Sequence, residues 1–370
     1  MSKQSSRRNV RVWTNLRLLT CAAAIAASNT PPSWERKSVV DTWQIPRGIQ
    51  LTKQVFGRWE FARISASAKV ERMSQVGAFD GVGRVLGETG QSGALGQSGG
   101  VLIMELTIGI AGIKGKVSLC VAQELLKQPN VLVRGYCRNS SRLPAPLTTN
   151  PRVNIIQGRV GDAAAVRPFV KGCDVVVCGY LADNDVMLDG QKLLIDLCEE
   201  EGVERRYIAS DYTIEFAKLK SGQFQKKDPI LQIKEYLDTE KVKAVHVLNG
   251  IFMETLVSDL TYIWEPTETK LRYYGTGDEA WEMATYKTTG QYVAHVALDR
   301  EAVGFFRFLG ARKSTRQIAA EFKSVYGIEP AVDRIGSLDD LYNKAHTNGE
   351  QNYILAGMNL ILRGQVYLEG

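Results

Sequence analysis

The sequence predicts an α/β protein built on a doubly wound parallel sheet, with a smaller α/β region at its C-terminal end. From residue 105 onward, short apolar runs alternate with amphipathic stretches, which is the pattern of strands alternating with helices. One run, Asp174–Cys178, holds three consecutive valines, as expected of a parallel strand covered on both faces. The predicted strands are Leu106–Ile110, Val131–Tyr136, Val153–Gln157, Asp174–Cys178, Arg206–Ala209 and Ala244–Leu248.

Helices are predicted between these strands from apolar residues at helical spacing. The helix after the first strand presents Val117, Val121 and Leu125 on one face, and the helix near Asp189–Glu201 ends at Gly202. Two further helix starts are predicted near the C-terminal end. They are the capping box from Ser314 to Gln317, whose helix stops at Gly327, and a similar start from Ser337 to Asp340.

The chain divides into three predicted parts: residues 1–103, a nucleotide-binding domain at 104–250 and a smaller substrate or lid domain at 251–370. The last two are expected to interleave in part. The first 100 residues hold 14 of the 46 basic residues and 6 of the 40 acidic residues. The remaining chain therefore carries a slight excess of acids, so the basic composition does not indicate a nucleic-acid partner.

Residues 1–103 are interpreted as a disordered or artefactual basic extension. Four arginines precede the first acid, Glu35, and residues 81–100 are rich in Gly, Ser and Gln, which is typical of a flexible linker. An N-terminus of this composition also resembles a mitochondrial transit peptide. Met104, directly before the first predicted strand, is where the folded part would naturally begin if the extension is an artefact.

Cysteine and histidine usage excludes several classes of site. The six cysteines are scattered without metal-type spacing, and the three histidines, His246, His295 and His346, support neither a zinc site nor a Ser-His-Asp triad. Unpaired cysteines within apolar stretches indicate a reducing compartment, so we expect a cytoplasmic protein, or a mitochondrial one if the extension is a real transit peptide. The apolar runs are too short to span a bilayer.

A glycine-rich turn after the first strand predicts a dinucleotide site. The segment runs Gly109-Ile110-Ala111-Gly112-Ile113-Lys114-Gly115 and opens the first helix. In such sites the first glycine makes the tight turn, the second admits the pyrophosphate and the third lets the helix pack on the sheet. The free N–H groups and positive dipole of the helix then bind phosphate. The alternative is a glycine turn that binds nothing.

The end of the second strand indicates which dinucleotide is bound. An NAD site usually places an acidic residue about 20 residues past the turn, to hold the ribose 2′-hydroxyl. This chain instead has Arg138, with Arg134 and Arg142 nearby. Because a guanidinium matches a phosphate in charge and in donor geometry, the sequence favours NADP over NAD. The alternative is a solvated surface arginine.

These features together resemble the NmrA-like family of atypical short-chain dehydrogenases, which includes isoflavone reductase-like enzymes. The resemblance covers about residues 104–340. It rests on the glycine turn, Arg138, Gly161-Asp162, Tyr207-Ile208-Ala209-Ser210-Asp211 and Asn249-Gly250-Ile251-Phe252. It implies an NADP-binding Rossmann domain with a small C-terminal substrate domain. Active members reduce aromatic natural products, whereas inactive members sense NADP and bind regulatory proteins.

The resemblance also implies a catalytic lysine. No tyrosine here is followed by lysine four residues later, so the Tyr-x-x-x-Lys pair of typical short-chain dehydrogenases is missing from the sequence. Isoflavone reductase-like enzymes use a lysine after the fifth strand, and Lys226 and Lys227 occupy roughly that place. Asp228 and Pro229 predict a helix start there, with Asp228 as N-cap. Lys227 is favoured over Lys226, and two exposed loop lysines are the alternative.

The remaining candidates follow predicted strand ends, where ligands bind in parallel sheets. Asp162, Tyr180 and Ser210 are expected to contact the cofactor, although Tyr180 is also typical of an aromatic at the core edge. Tyr212, Asn249 and Phe252 are expected to line the substrate site. The sequence thus predicts an NADPH-dependent reductase of a small aromatic or carbonyl-containing metabolite, or alternatively an NADP-sensing regulator with a protein partner. No metal ion is expected, and the oligomeric state is left open.

Overall fold

Seven parallel strands form the central sheet of the computed structural model, which describes residues 105–202 and 206–368. In chain order the seven strands are β1 (Leu106–Ala111), β2 (Val131–Cys137), β3 (Val153–Gln157), β4 (Val175–Cys178), β5 (Arg206–Ile208), β6 (Lys243–Leu248) and β11 (Gly304–Arg307). They lie in the order β11-β6-β5-β4-β1-β2-β3. The strand order therefore reverses between β1 and β4, the crevice at which doubly wound sheets bind ligands.

Helices cover both faces of this sheet. The ten α-helices among the described residues are α1 (Lys116–Leu125), α2 (Ala145–Thr148), α3 (Ala163–Val170), α4 (Asn184–Glu200), α5 (Asp228–Leu237), α6 (Met253–Leu256), α7 (Tyr286–Leu298), α8 (Thr315–Tyr326), α9 (Leu338–Ala345) and α10 (Tyr353–Leu362). Buried residues of α1 and α7 share one apolar cluster, and those of α3, α4 and α5 share the other. The predicted doubly wound fold is confirmed.

The close packing of α1 against α7 depends on a glycine. A Cβ atom at Gly290 of α7 would lie 2.3 Å from the Cβ of Cys120 on α1. Real side chains do not approach so closely, so only glycine lets the two helix backbones meet at this point. Because α7 follows residue 250 in the chain, one face of the seven-stranded sheet is covered by a later segment.

The C-terminal region adds two small mixed sheets. Their strands are β7 (Ile251–Phe252), β8 (Trp264–Glu265), β9 (Lys270–Tyr274), β10 (Ala280–Ala284), β12 (Ala311–Ser314) and β13 (Ala331–Gly336). One sheet has the order β12-β10-β7 and the other β13-β9-β8. Between β10 and β12 the chain returns to the large sheet through β11, so the C-terminal region and the large sheet interleave. The boundary at residue 250 stays a prediction.

Local start and stop signals match the sequence closely at the C-terminal helices. Ser314 and Gln317 form the capping box of α8, and Gly327 ends that helix with φ +70. Ser337 and Asp340 form a second capping box on α9. Each reciprocal pair satisfies two N–H groups that a helix start would otherwise leave without acceptors. Both predicted helix starts are therefore correct.

Several boundaries differ from the sequence expectation. Helix α4 starts at Asn184, more than one turn before the predicted Asp189, because the polar residues in between are also helical. It ends at Glu200, and Gly202 lies just beyond, as predicted. Four predictions concern residues that the structure does not describe. They are the disordered or artefactual extension at 1–103, the linker at 81–100, the transit peptide and a start at Met104. No helix in the described part is both long and apolar enough to cross a membrane.

A buried arginine ties β5 to the end of α7. Arg206 is 5% exposed, and its guanidinium donates to the main-chain oxygens of Val296 at 3.0 Å, Ala297 at 2.8 Å and Asp299. Burial lowers the pKa of Arg206. The last carbonyls of a helix have no partners within the helix, so this side chain replaces water as their donor.

Replacing Arg206 with methionine is expected to lower the free energy of unfolding by about 2–3 kcal/mol, since buried carbonyls would lose a charged donor. Denaturant titration followed by circular dichroism measures this change. Arg300→Met, which removes an exposed guanidinium on the loop that follows α7, is the matched control and should change stability by less than about 0.5 kcal/mol. Equal stabilities of the two variants would contradict the capping role.

Candidate functional site

The glycine turn between β1 and α1 lies at the carboxyl edge of the sheet, beside the β1–β4 crevice. Gly112 adopts φ +71, and a Cβ atom there would lie 2.8 Å from the main-chain oxygen of Gly179. Gly115 is the N-cap of α1 and donates its N–H to the Gly112 oxygen at 2.9 Å. No side chain caps α1, so a bound anion could accept from the first N–H groups of this helix.

The structure contradicts the predicted role of Gly109. This residue lies within β1 and not at the turn, because β1 continues to Ala111. A Cβ atom on Gly109 would lie 3.0 Å from the Cys173 sulfur and 3.2 Å from the Phe169 ring. Gly109 therefore lets α3 pack on the strand, and the turn itself begins at Gly112.

Three further residues of this segment have fully buried side chains. Ile110 and Ala111 end β1 inside the core, and Ile113 points from the turn toward Gly135 of β2. A Cβ atom at Gly135 would lie 2.6 Å from the Ile113 Cδ1 atom, so β2 needs glycine there. These apolar side chains hold the turn against the sheet. Only the main-chain atoms of these three residues remain to contact a ligand.

Positive charge gathers beside the turn, where β2 ends. Arg138 directly follows β2 and is exposed. Sequence reasoning did not single out Lys114, which lies within the turn. Burial raises the pKa of the Cys137 thiol, and the nearby Lys114 ammonium partly offsets that rise. Lys114, in the turn, therefore lies near Cys137, and Arg138 is the residue that follows Cys137 in the chain.

Arg134 does not belong to this group of charges. It lies in the middle of β2 and pairs with Gly109 of β1. Its guanidinium donates to the main-chain oxygens of Phe169 at 3.1 Å and Pro168 at 3.3 Å, in the last turn of α3. The side chain thus caps a helix. Arg134 is separated from Arg138 because it lies four residues earlier, about 13 Å back along the strand, and carbonyls at the end of α3 hold its guanidinium.

Tyr180 and Ser210 lie where β4 and β5 end. The Tyr180 ring lies 3.2 Å from the Cβ position of Gly112, so it lies directly beside the turn. Its buried hydroxyl has no hydrogen-bond partner among the described residues, and burial raises its pKa. Ser210 donates its hydroxyl to the Tyr180 main-chain oxygen at 2.6 Å, which fixes the two loops together. Contacts of either residue with a cofactor stay a prediction.

Asp162 lies at the same edge of the sheet, after β3. It is the N-cap of α3, and its carboxylate accepts the Ala165 N–H at 3.2 Å. Burial and the Asp162 charge together raise the pKa of Tyr136 to about 12. Asp162 is exposed and thus accessible to a ligand, although capping already uses one of its oxygens.

The two candidate lysines lie in a short 3-10 turn, Gln225–Lys227, that leads into α5. The sequence predicts Asp228 as the N-cap, but Lys227 is the N-cap and Asp228 is the first helical residue. The Asp228 carboxylate instead accepts the Gly222 N–H at 3.0 and 3.1 Å. The prediction failed because the preceding residues are already helical, which shifts the start by one position.

Lys226 and Lys227 have different surroundings. The Lys226 ammonium lies 5.9 Å from the centre of the Tyr353 ring. Lys227 is half-buried, and burial lowers its pKa to about 8, against the opposing charge of Asp211 and with a small contribution from Lys226. The Lys227 ammonium is therefore perturbed toward neutrality, and the Asp211 carboxylate opposes that shift.

Sequence reasoning missed a buried pair beneath this edge. The Nδ1 atom of His246 lies 2.7 Å from an Asp211 carboxylate oxygen, and the two side chains are 3% and 2% exposed. Asp211 follows β5, and His246 lies on the neighbouring strand β6. The available signal was a single histidine within an otherwise apolar strand, but its partner lies 35 residues away and only the sheet brings them together.

Tyr212 reaches from the end of β5 back to the crevice. Its backbone has φ +35, an uncommon conformation for a residue with a side chain. Its hydroxyl donates to the main-chain oxygen of Cys178 at 2.9 Å, and Cys178 pairs with Ala111 of β1. Burial raises the pKa of Tyr212 well above its usual value. Strained backbone of this kind often accompanies functional sites.

Asn249 and Phe252 lie beyond the end of β6. Asn249 is fully buried, and neither its side-chain oxygen nor its side-chain nitrogen has a partner among the described residues. Buried amides without partners are costly, so this side chain is suited to meet a polar ligand or water. The Phe252 ring lies 4.4 Å from the Tyr286 ring. Contact of either residue with a substrate stays a prediction.

Within the described ranges, no group of three or more His, Cys, Asp or Glu side chains is placed to hold a metal ion. The sheet edge offers main-chain N–H groups, cations and one perturbed lysine. The turn offers main-chain donors for a diphosphate, Arg138 and Lys114 offer charge for a further phosphate, and Lys227 offers a proton.

Comparisons with known proteins agree with this geometry. A family model described as NAD(P)H-binding matches residues 112–299, which is half of the chain. An oxidoreductase of Pestalotiopsis microspora is 29% identical over 83 residues, which is 22% of this chain and 32% of that protein. The chain thus spans about a third of the length of this curated relative.

Solved structures share the fold. Isoflavone reductase superposes with a TM-score of 0.60 at 16% identity, over 72% of this chain and 91% of that one. Leucoanthocyanidin reductase from Vitis vinifera, solved with NADPH, gives 0.58 at 14% identity, over 71% and 89%. NmrA, described as a negative transcriptional regulator, gives 0.53 at 14%, over 64% and 76%.

At these identities the structures establish the fold, and the family model establishes the class of ligand. The predicted resemblance to NmrA-like and isoflavone reductase-like proteins is confirmed. The prediction that the cofactor is a nicotinamide dinucleotide is confirmed as well. The chain belongs to the NAD(P)H-binding family and has the Rossmann fold of the isoflavone reductase and NmrA structures.

Proposed function

We propose that this protein is an NADPH-dependent reductase of a small aromatic or carbonyl-containing metabolite. The observation that carries the proposal is the half-buried Lys227 at the carboxyl edge of the cofactor sheet, with its pKa lowered to about 8. Similar folds in isoflavone reductase and leucoanthocyanidin reductase support the reaction class. A reductase of this kind needs a bound hydride donor, a proton donor and a site that orients the acceptor.

The residues at the turn fit a phosphorylated dinucleotide. A side chain at Gly112 would collide with the main-chain oxygen of Gly179 and with the Tyr180 ring, so glycine keeps the turn closed beside the N-terminus of α1, where a diphosphate would bind. Arg138, exposed just beyond β2, would hold the 2′-phosphate, with Lys114 as a second cation. When bound there, NADPH would supply the hydride for the electrophilic carbon of the substrate.

Lys227 supplies the matching proton. Below its pKa of about 8 the side chain is an ammonium, and it would give one proton to the oxygen that becomes negatively charged as the hydride arrives. Lys227 becomes a neutral amine and takes a proton back from water. Tyr212 and Asn249 lie at the same edge and would orient the acceptor. Balanced in this way, one hydride and one proton reduce one double bond.

The alternative is a regulator that binds NADP and a protein partner without turnover, and the fold shared with NmrA supports it. Both functions require Arg138 and the glycine turn, whereas only the reductase requires Lys227 to exchange a proton. Variants at these positions therefore separate the two.

Arg138→Ala is expected to weaken NADPH binding by a factor of about 10 to 100, because hydrogen bonds to charged groups contribute about 1.5–3 kcal/mol. NADH binding should change little, since NADH lacks the 2′-phosphate. Isothermal titration calorimetry with both coenzymes measures the effect, and Arg300→Ala serves as a control that removes an equal charge elsewhere. An equal loss for NADPH and NADH would exclude the 2′-phosphate role, and no heat from wild-type protein with either coenzyme would overturn the proposed function.

A further inference from the structure

A glutamine near the C-terminal end of the chain contacts the turn that carries Lys227. We call residues 222–227 the lysine turn. The side-chain oxygen of Gln351 accepts the Gln225 main-chain N–H at 3.1 Å, and its side-chain nitrogen donates to the Gln223 main-chain oxygen at 3.2 Å. Only one orientation of the amide satisfies both partners, since one needs an acceptor and the other needs a donor. A single side chain therefore holds the main chain of the lysine turn at two points.

The helix that follows Gln351 packs against the same turn. Phe224 is buried, and a Cβ atom on Gly357 of α10 would lie 3.0 Å from the Phe224 ring. The ring therefore lies against the backbone of α10, at a position that has no side chain. The Lys226 ammonium lies 5.9 Å from the centre of the Tyr353 ring, in the first turn of α10. The lysine turn thus contacts α10 at two places besides the Gln351 amide.

Neighbouring residues hold the Gln351 amide in place. Its nitrogen lies 3.3 Å from the Nε2 atom of His346, and the Nδ1 atom of that ring lies 2.8 Å from the Tyr342 main-chain oxygen. A neutral ring with its proton on Nδ1 satisfies both contacts, because Nδ1 then donates to the carbonyl and Nε2 accepts from the amide. The next residue, Asn352, caps α10 by accepting two main-chain N–H groups at 3.1 and 3.2 Å. The helix start and the histidine together set the position of Gln351.

Lys227 depends on the lysine turn for its own position. Its main-chain N–H donates to the Phe224 main-chain oxygen at 2.7 Å, which closes the 3-10 turn. Lysine has a flexible four-carbon stem, so its ammonium has a defined place only where the main chain beneath it is held. A reacting group that is misplaced by about 1 Å can lower a rate by about 10²-fold. The two hydrogen bonds of Gln351 therefore act on the part of the chain where small displacements matter most for proton transfer.

We propose that Gln351 is a positioning residue that holds the lysine turn in the place from which Lys227 gives its proton to the substrate. The inference rests on the proposed function, in which Lys227 is the proton donor. Gln351 acts through Lys227 and takes no part in the proton transfer itself. The C-terminal segment that contains Gln351 and α10 thereby belongs to the reductase site.

Replacing Gln351 with methionine keeps the length of the side chain and removes both hydrogen bonds. We expect kcat for an aromatic quinone or enone to fall by about 10- to 100-fold, as for a misplaced catalytic group. The dissociation constant of NADPH, measured by calorimetry, should stay unchanged, because the coenzyme binds at the glycine turn. Hydrogen exchange followed by mass spectrometry should become faster in the lysine turn by about 5-fold or more, since the Gln225 N–H loses its acceptor. Gln365→Met, which replaces an exposed glutamine of the same C-terminal segment, is the matched control and should change none of these quantities.

A double-mutant cycle with Lys227→Ala separates positioning from general structural support. If Gln351 acts through Lys227, adding Gln351→Met to Lys227→Ala lowers the residual turnover no further. An equal loss in the wild-type and Lys227→Ala backgrounds would overturn the inference, and so would a wild-type kcat in Gln351→Met. A fall in kcat that is matched by weaker NADPH binding would indicate a structural role only, and it too would overturn the inference.

Failure of the proposed function gives a different result. Hydrogen exchange requires neither coenzyme nor substrate, so it tests the hold of Gln351 on the lysine turn by itself. Faster exchange in Gln351→Met, together with a wild-type protein that binds no NADPH, would refute the reductase proposal alone. Unchanged exchange in Gln351→Met, together with normal NADPH-dependent turnover, would refute the positioning role alone.

Discussion

Replacing Lys227 with alanine is expected to lower NADPH-dependent turnover by about 10²–10⁴-fold, the usual contribution of a positioned acid. The substitution removes the half-buried ammonium that interacts with the Asp211 charge. The neighbouring Lys226 does not replace it, because its ammonium lies beside the Tyr353 ring. The loss should appear in kcat with little change in the dissociation constant of NADPH. The measurement is the decrease in NADPH absorbance at 340 nm, with the aromatic quinone or enone that the wild type reduces fastest.

Lys226→Ala is the matched control, because it removes an equal charge one residue away. It should retain most of the turnover. If Lys226→Ala is the inactive variant, the assignment between the two lysines is reversed. If both variants keep full activity, no lysine of this turn supplies the proton.

The pH dependence of the wild type provides a second check on Lys227. Burial lowers its pKa to about 8, and an acid acts only while it is protonated. Turnover should therefore be highest below pH 8 and fall as the pH rises through that value. A lysine with its ordinary pKa would keep turnover constant to about pH 10. An alkaline limb near pH 10, or none, would contradict a perturbed lysine as the donor.

Gly112→Ala is expected to abolish coenzyme binding and to destabilise the fold. An L-residue held in the left-handed region costs about 1–2 kcal/mol, and the new Cβ would lie 2.8 Å from the main-chain oxygen of Gly179. Main-chain atoms cannot move aside as a flexible side chain would, so the turn must open at the place where we propose that the diphosphate binds. We expect a lower melting temperature and no thermal shift on adding millimolar NADPH.

Gly161→Ala is the control for a glycine at the same edge of the sheet. A Cβ atom there has no neighbour within 4 Å. Stability and the NADPH-induced thermal shift should therefore remain close to those of the wild type. A normal thermal shift in Gly112→Ala would show that the coenzyme does not approach the chain at this turn.

Much of the fold follows from local patterns that the sequence shows directly. The valine run of β4 is buried on both faces, and the capping boxes at Ser314 and Ser337 start helices as predicted. Such features depend on residues within a few positions of one another. Boundaries are harder to predict, as α5 illustrates: its N-cap is Lys227 and not the predicted Asp228, because one residue more or less at a helix end changes little in energy.

The parts of the site that sequence reasoning missed depend on tertiary contacts. Gly109 was given the turn-forming role from glycine spacing alone, although it lies within the predicted strand, and its packing role depends on the approach of Phe169 from α3. Arg134 caps α3, although its neighbourhood in sequence is that of Arg138. The pairing of Asp211 with His246 joins a residue just after β5 to a residue on the adjacent strand β6, and no local periodicity connects them.

The return of the chain to the large sheet through β11 has a consequence for how this molecule is made. Strand β11 pairs with β6 only after more than fifty intervening residues have formed the small strands and α7. During synthesis, the edge of β6 and the surface of α1 that faces Gly290 stay exposed until α7 and β11 have left the ribosome. We expect ribosome-bound chains that stop near residue 250 to resist proteolysis far less than chains that reach β11.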